Sequence, residues 1–337
     1  AVVENDRVIA CEPFGADPAP SPMLDAIPAM THSPLRIARP AVRQGWLRQR
    51  EGSDRTQRGN EPFVEIGWDE ALRLTAQALH DTRDRHGAGG IFGGSYGWAS
   101  AGRFHHARTQ LRRFLFSGGG CVDQTGNYSW GAAQFLLPHV IGTYAPVNGH
   151  VTDWSSVITD TRLMIAFGGL ALKNGQVTSG GAGAHTMERW LRAAKDRGIS
   201  FVVISPTRTD APDFLEAEWL PIRPNTDTAL MLGMAHTLIV AGLHDEAFLA
   251  RYCVGYERLR DYVIGASDNI AKTPEWAERI CEVPADAIRA LALRAAGTRT
   301  LVTLAWSLQR AHRGEQPYWM AIALAALLGQ IGLPGGG

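Results

Sequence analysis

Hydrophobic and polar positions follow two kinds of pattern along this chain. Residues 68–86, WDEALRLTAQALHDTRDRH, place apolar side chains at helical spacing, with Asp69 available to cap the start and Gly87 to end the helix. Short apolar stretches at 162–169, 200–205 and 300–305 read instead as buried strands. Residues 90–94 read as a further short strand, leading through the loop 95–98 into a helix that runs to Phe116. The spacing predicts helices over 186–197, 226–242, 245–252, 274–281, 284–296 and 315–329. Residues 12–62, rich in Pro, Gly and Arg, lack a sustained period and read as an extended segment or coil. Strands and helices alternating at these lengths predict an α/β fold, with doubly wound, mainly parallel sheets covered by helices on both faces.

Four stretches are expected: 1–62, an extended segment and partial small domain; 63–150, a first α/β portion; 151–300, a dinucleotide-type α/β domain; and 301–337, returning to the first portion, a division that a family resemblance drawn below implies. Ala1–Cys11 alternates like the second half of a hairpin whose partner is missing, and Leu333–Gly337 is a loop with nothing after it. Both ends read as cut, so a fragment of a larger multi-domain protein is expected.

Composition narrows the partners. With 337 residues and 45% apolar content the chain can fill a sizeable core. Its 33 basic residues balance 33 acidic ones, so net charge gives no reason to expect nucleic acid or a membrane surface. The apolar run Trp319–Leu328 is about half a membrane-spanning length, and no signal sequence opens the chain, so no membrane insertion is expected. Cys11, Cys121, Cys253 and Cys281 lie far apart, without the clustering that iron–sulfur or zinc sites need, and read as buried free thiols. His105 and His106 are adjacent on a presumed helix, about 100° apart, and read as structural.

Ligands of open α/β sheets bind beyond the carboxyl ends of the strands. The loops there carry SYGW at 95–98, GGLALKNGQ at 168–176, SPTRTD at 205–210 and WSLQRAHRGEQ at 306–316. Gly-rich backbone, hydroxyls, Lys173 and Arg208 suit a nucleotide or pyrophosphate. Taken singly, each loop reads first as an ordinary turn. Neither GxGxxG after a strand nor GxxxxGK[ST] is present, which weakens a usual redox dinucleotide. In GNYSWG at 126–131, Ser129 reads locally as a turn or cap residue, and Tyr96 and Trp98 as core aromatics.

Ordered blocks across the whole chain change that balance. SPLRIARPAVRQGWL (33–47), WDEAL (68–72), GGSYGWASAGRFHHA (93–107), GNYSWGAAQFLLPHVIG (126–142), IRPNTDTALMLGMAHTL (222–238), DEAFLARYCVGY (245–256), WSLQRAHRGEQPYWM (306–320) and LGQIGLPGGG (328–337) together resemble the sulfoxide and N-oxide reductase branch of the molybdopterin oxidoreductases. The resemblance implies the N-terminal half of a molybdoenzyme with bis(molybdopterin guanine dinucleotide) around one molybdenum. Ser129, in the 63–150 portion, matches the serine ligand, and an alkoxide oxygen suits a high-valent metal. Tyr96 and Trp98 match active-site aromatics, Tyr96 as the proton or hydrogen-bond donor and Trp98 also beside the cofactor. Arg310 matches a residue near the substrate, with Trp306, Ser307 and Gln309 near the pterin sulfurs. Lys173, Ser205, Pro206, Thr207 and Asp227 match contacts to a guanine dinucleotide held by 151–300. The Asp227 carboxylate could accept two hydrogen bonds from guanine, or cap the adjacent helix.

The implied activity is oxygen-atom transfer from biotin, methionine or dimethyl sulfoxide, or from trimethylamine N-oxide. Tyr96 favours S-oxides. The electron donor is open among a c-type cytochrome, a thioredoxin-like protein and NADPH, and the location is cytoplasmic or periplasmic, leaning to cytoplasmic. Two departures stand out: the iron–sulfur cysteines of related branches are absent, and 168–185 is glycine-rich for the branch. An inactive cofactor-binding fragment and a nicotinamide-dependent dehydrogenase on a doubly wound sheet are the alternatives.

Overall fold

The computed structural model describes residues 1–95, 106–149, 152–176 and 183–337. It divides into two compact units, Ala1–Thr125 with Val177–His185, and Gly126–Gln176 with Thr186–Gly337.

In the first unit β1 (Val2–Glu4) pairs antiparallel with β2 (Arg7–Ala10). Asn5 and Asp6 between them have φ of 49° and 60°, the left-handed pair that a two-residue hairpin turn requires. Ala1–Cys11 is therefore both halves of a hairpin, not one. The coil expected over 12–62 is corrected as well. It holds α1 (Ile27–Thr31), β3 (Ala41–Arg43) and α2 (Gln44–Gln49), and β3 pairs antiparallel with β4 (Phe63–Glu65). Elements of three to six residues are too short to show a period.

Helix α3 (Trp68–His86) occupies the predicted span, but Gly67 is its N-cap. Asp69 and Glu70 instead sit in the first turn, where carboxylates face the positive end of the helix dipole. The strand expected at 90–94 is reduced to one parallel bridge between Phe92 and Val122. Helix α4 (Ala107–Ser117) is capped by His106, whose Nδ1 accepts the Thr109 N–H at 3.2 Å, a structural role as expected.

The second unit opens with α5 (Gly131–Ile141), α6 (Ala145–Asn148) and α7 (Trp154–Asp160), before β5 (Leu163–Phe167). Helix α8 (Met187–Asp196) leads to β6 (Ser200–Ile204) and β7 (Glu218–Leu220). The helices α9 (Asp227–Val240), α10 (Glu246–Tyr252), α11 (Tyr256–Val263), α12 (Pro274–Cys281) and α13 (Ala285–Ala296) precede β8 (Thr300–Leu304), and α14 (Glu315–Leu327) follows. The four strands form one parallel sheet in the order β7-β6-β5-β8. Strand β7 was not anticipated, because Glu218 interrupts any apolar run.

Alternation along the strands builds both faces. Leu163, Ile165, Phe167, Val202 and Ile204 pack in one core with Leu230, Met234 and Leu238 of α9, Ile288 of α13 and Leu324 of α14. Met164, Ala166, Phe201 and Val203 pack in the other with Val157 of α7 and with Leu191 and Ala194 of α8. Every residue of β5 is buried, which is why it reads as a continuous apolar run. All four cysteines are free thiols, but only Cys281 is buried; the other three are half-buried, a correction to the sequence expectation.

Candidate functional site

The chain winds outward from β5 to β6 to β7, then crosses back to lay β8 on the other edge of β5. Between β5 and β8 the winding direction reverses, and such a switch point opens a crevice at the strands' carboxyl ends. Two consecutive glycines let the loops there approach. Gly168 and Gly169, directly after β5, have φ of 83° and 94°. A Cβ on Gly168 would lie 2.4 Å from Leu308 and 2.8 Å from Ala305, and one on Gly169 would lie 2.6 Å from Asp210. Backbone bonds lace the loops together: Gly168 N–H to the Ile204 carbonyl at 2.8 Å, Leu170 N–H to that of Asp210 at 2.7 Å and Ala305 N–H to that of Phe167 at 2.8 Å.

Nine of the expected site residues follow the carboxyl ends of these strands. Lys173 lies exposed in the short helical turn Leu172–Gln176 after β5. Ser205 follows β6 and is 1% exposed; its hydroxyl donates to Asp210, and its carbonyl accepts the Trp219 indole N–H at 2.8 Å. Pro206 and Thr207 beside it are exposed. Asp227 opens α9 beyond β7, as its first helical residue rather than its N-cap. Trp306, Ser307, Gln309 and Arg310 follow β8. Tyr96 and Trp98 lie outside the described residues.

Ser129 reaches this edge from another segment. It sits half-buried in the turn before α5, and its carbonyl accepts the Arg310 Nε–H at 3.2 Å. Among the described residues nothing bonds its hydroxyl. Gln309 is 5% exposed; its Oε1 accepts the Ala133 N–H of α5 at 3.0 Å, and its Nε2 is buried without a well-directed partner. The Trp130 ring lies 6.1 Å from that of Trp306 and 5.9 Å from that of Tyr144. Beneath them burial pushes the Tyr318 phenol up to about 12, so it stays protonated and donates to the Ala305 carbonyl at 3.2 Å.

Asp227 is 7% exposed, and desolvation raises its pKa to about 6, with its own backbone N–H acting against the shift. A buried carboxylate this weakly compensated calls for a donor. Sequence reading missed Asp210, Trp130 and Asn127. Asn127 carried a weak signal, an asparagine just before a helix start. Among the described residues no cluster of three His, Cys, Asp or Glu side chains could hold a metal, and no helix is long and apolar enough to cross a membrane.

Known proteins with the same pattern are enzymes. Residues 36–337 match the family described as Molybdopterin oxidoreductase, and residues 1–32 the Molybdopterin oxidoreductase N-terminal domain. A biotin sulfoxide reductase of Cereibacter sphaeroides is 45% identical over 97% of this chain and 44% of its own length. A dimethyl sulfoxide/trimethylamine N-oxide reductase of Rhodobacter capsulatus is 42% identical over 100% of this chain and 41% of its length. A trimethylamine-N-oxide reductase of Haemophilus influenzae is 39% identical over 100% and 40%. The chain thus spans less than half the length of these relatives. The acetylene hydratase of Pelobacter acetylenicus shares the fold, with a TM-score of 0.55 at 23% identity over 94% of this chain and 39% of that one. These matches leave no support for the nicotinamide-dependent alternative, and the chain belongs to the molybdopterin oxidoreductase family.

Proposed function

We propose that this chain is the cofactor-holding part of a molybdenum reductase of S-oxides or N-oxides, with Ser129 as the protein ligand to the metal. The observation that carries this is the convergence of the Ser129 turn with the loop after β8, through the Arg310 bond at 3.2 Å, beside the β5/β8 switch point. The residues fit such a group. An unbonded Ser129 hydroxyl, a buried Gln309 Nε2 without a well-directed partner and a buried Asp227 carboxylate are polar groups that a ligand would satisfy.

Bound molybdopterin and molybdenum supply the two-electron couple for oxygen-atom transfer; overall the S–O or N–O bond breaks, two electrons and two protons enter, and water leaves. The chain's own part is to hold and orient. Ser129 gives a hard oxygen donor. Arg310 fixes the carbonyl of the Ser129 turn and brings a positive charge to its exposed side. Gln309 and Trp306 would lie on the pterin side, with Ser307 next to them. The guanine dinucleotide form of the cofactor is supported by Asp227, whose carboxylate would accept from guanine N1–H and the 2-amino group, and by Lys173, Ser205, Pro206 and Thr207 near ribose and phosphate. Tyr96, by its resemblance to the sulfoxide reductases, would donate a hydrogen bond to the substrate oxygen and tilt preference toward S-oxides.

The test is Ser129→Ala in the complete protein, with dimethyl sulfoxide as substrate and a reduced dye as donor. Turnover falls by about a hundredfold or more, beyond the roughly 10–100-fold typical of outer-shell partners. An unchanged rate together with an unchanged visible spectrum contradicts the proposal.

A further inference from the structure

We propose that Asn127 is a positioning residue that locks the Ser129 turn; the assignment rests on Ser129 being the metal ligand. The Asn127 Oδ1 accepts the Trp130 N–H at 2.9 Å, and its Nδ2 donates to Gln134 Oε1 at 3.4 Å. The first bond closes a ring around Tyr128 and Ser129, and the second ties that ring to the first turn of α5.

This is not ordinary helix capping. Gln309 already takes the Ala133 N–H at the start of α5 at 3.0 Å, from the loop after β8. The Trp130 N–H precedes the helix, so Asn127 acts on the turn itself. Within the turn Tyr128 is 97% exposed, and packing comes through the Trp130 ring against Trp306 and Tyr144. Arg310 grips the Ser129 carbonyl at 3.2 Å from the β8 side, and Asn127 grips the following amide from within the turn. Both bonds fall on the one peptide unit between Ser129 and Trp130, through its carbonyl and its N–H, so the plane on the carboxyl side of the Ser129 Cα is held from two directions. A ligand held this way loses little freedom on binding its metal.

An asparagine suits the position because one planar group offers acceptor and donor together. Aspartate keeps the acceptor toward Trp130 and loses the weaker donor contact to Gln134. Alanine loses both.

The experiment compares Asn127→Ala and Asn127→Asp with wild type and Ser129→Ala in the complete holoprotein, reading molybdenum content, visible spectrum, kcat and KM. Amide exchange at Trp130 is read alongside. Asn127→Ala retains molybdenum, shifts the spectrum, speeds Trp130 exchange and lowers kcat about tenfold with KM within about twofold, in the range of outer-shell partners. Asn127→Asp restores most of the rate and the spectrum. A wild-type spectrum and kcat in Asn127→Ala, with Ser129→Ala altered, overturns the positioning role alone. Wild-type spectra in both variants bring down the Ser129 assignment and this inference with it. A loss in Asn127→Ala that Asn127→Asp does not restore, and that follows a fall in melting temperature, also overturns it.

Discussion

The Ser129 turn and the Asp227 carboxylate lie beyond the same sheet and are prepared in opposite ways. Around Ser129 the backbone is fixed by side chains from two segments, Asn127 and Arg310, and the hydroxyl is left over. At Asp227 the helix start places a carboxylate where water is excluded, and its raised pKa of about 6 records the cost of charging it there. The proposed metal ligand has to be held in direction, and the peptide unit that follows it is bonded at both its carbonyl and its N–H before anything binds. The proposed nucleotide contact instead carries an unmet demand for donors, which a base bearing two N–H groups would answer. Preorganisation and unpaired burial are two routes to one binding site.

Three substitutions test that contrast. The largest effect is expected at Gly168, where the loops after β5 and β8 meet beside the end of β6. Gly168→Ala would put a Cβ 2.4 Å from Leu308 at a φ of 83°. Strain and overpacking of about 1–3 kcal/mol each give a loss of about 4 kcal/mol in denaturant unfolding. A loss under about 1 kcal/mol would mean the loops do not need this close approach.

Asp227 gives a pH-dependent effect of opposite sign. Its folded pKa of about 6 lies above the ordinary 3.8, so the unfolded chain releases the proton first and stability falls as pH rises from about 4 to about 6. Asp227→Asn removes that penalty and stabilises the ligand-free protein at pH 7 by up to about 3 kcal/mol, with the gain gone below about pH 4. The same variant loads less cofactor. A pH-independent gain, or normal loading, would detach Asp227 from the nucleotide side. The smallest effect is at Arg310. Arg310→Gln loses the bond to the Ser129 carbonyl and about 1 kcal/mol of stability. No change in unfolding would leave Asn127 as the main restraint on the turn.

How much was legible in the sequence follows from length of pattern. Nineteen residues of helical spacing placed α3 at its observed bounds, and five-residue apolar runs placed β5 and β6, because burial on both faces leaves no polar interruption. Alternation over Ala1–Cys11 was legible, but the Asn5-Asp6 turn that divides it into two strands was not; the β3–β4 pair and β7 escaped, since strands of three residues carry no readable alternation and their partners are set by tertiary pairing. The parallel sheet was expected, but its β7-β6-β5-β8 order, which creates the switch point, is long-range information. At the site, Ser129 was visible only through ordered blocks of resemblance. Asn127 and Gln309 matter through bonds to particular amides, Trp130 and Ala133, and Gln309 reaches Ala133 from a segment far along the chain.

The most direct test of the central claim is molybdenum-edge X-ray absorption on the complete protein, wild type beside Ser129→Ala. The account predicts one oxygen neighbour fewer around the metal in the variant, with molybdenum content retained. Identical oxygen shells in the two proteins would contradict it.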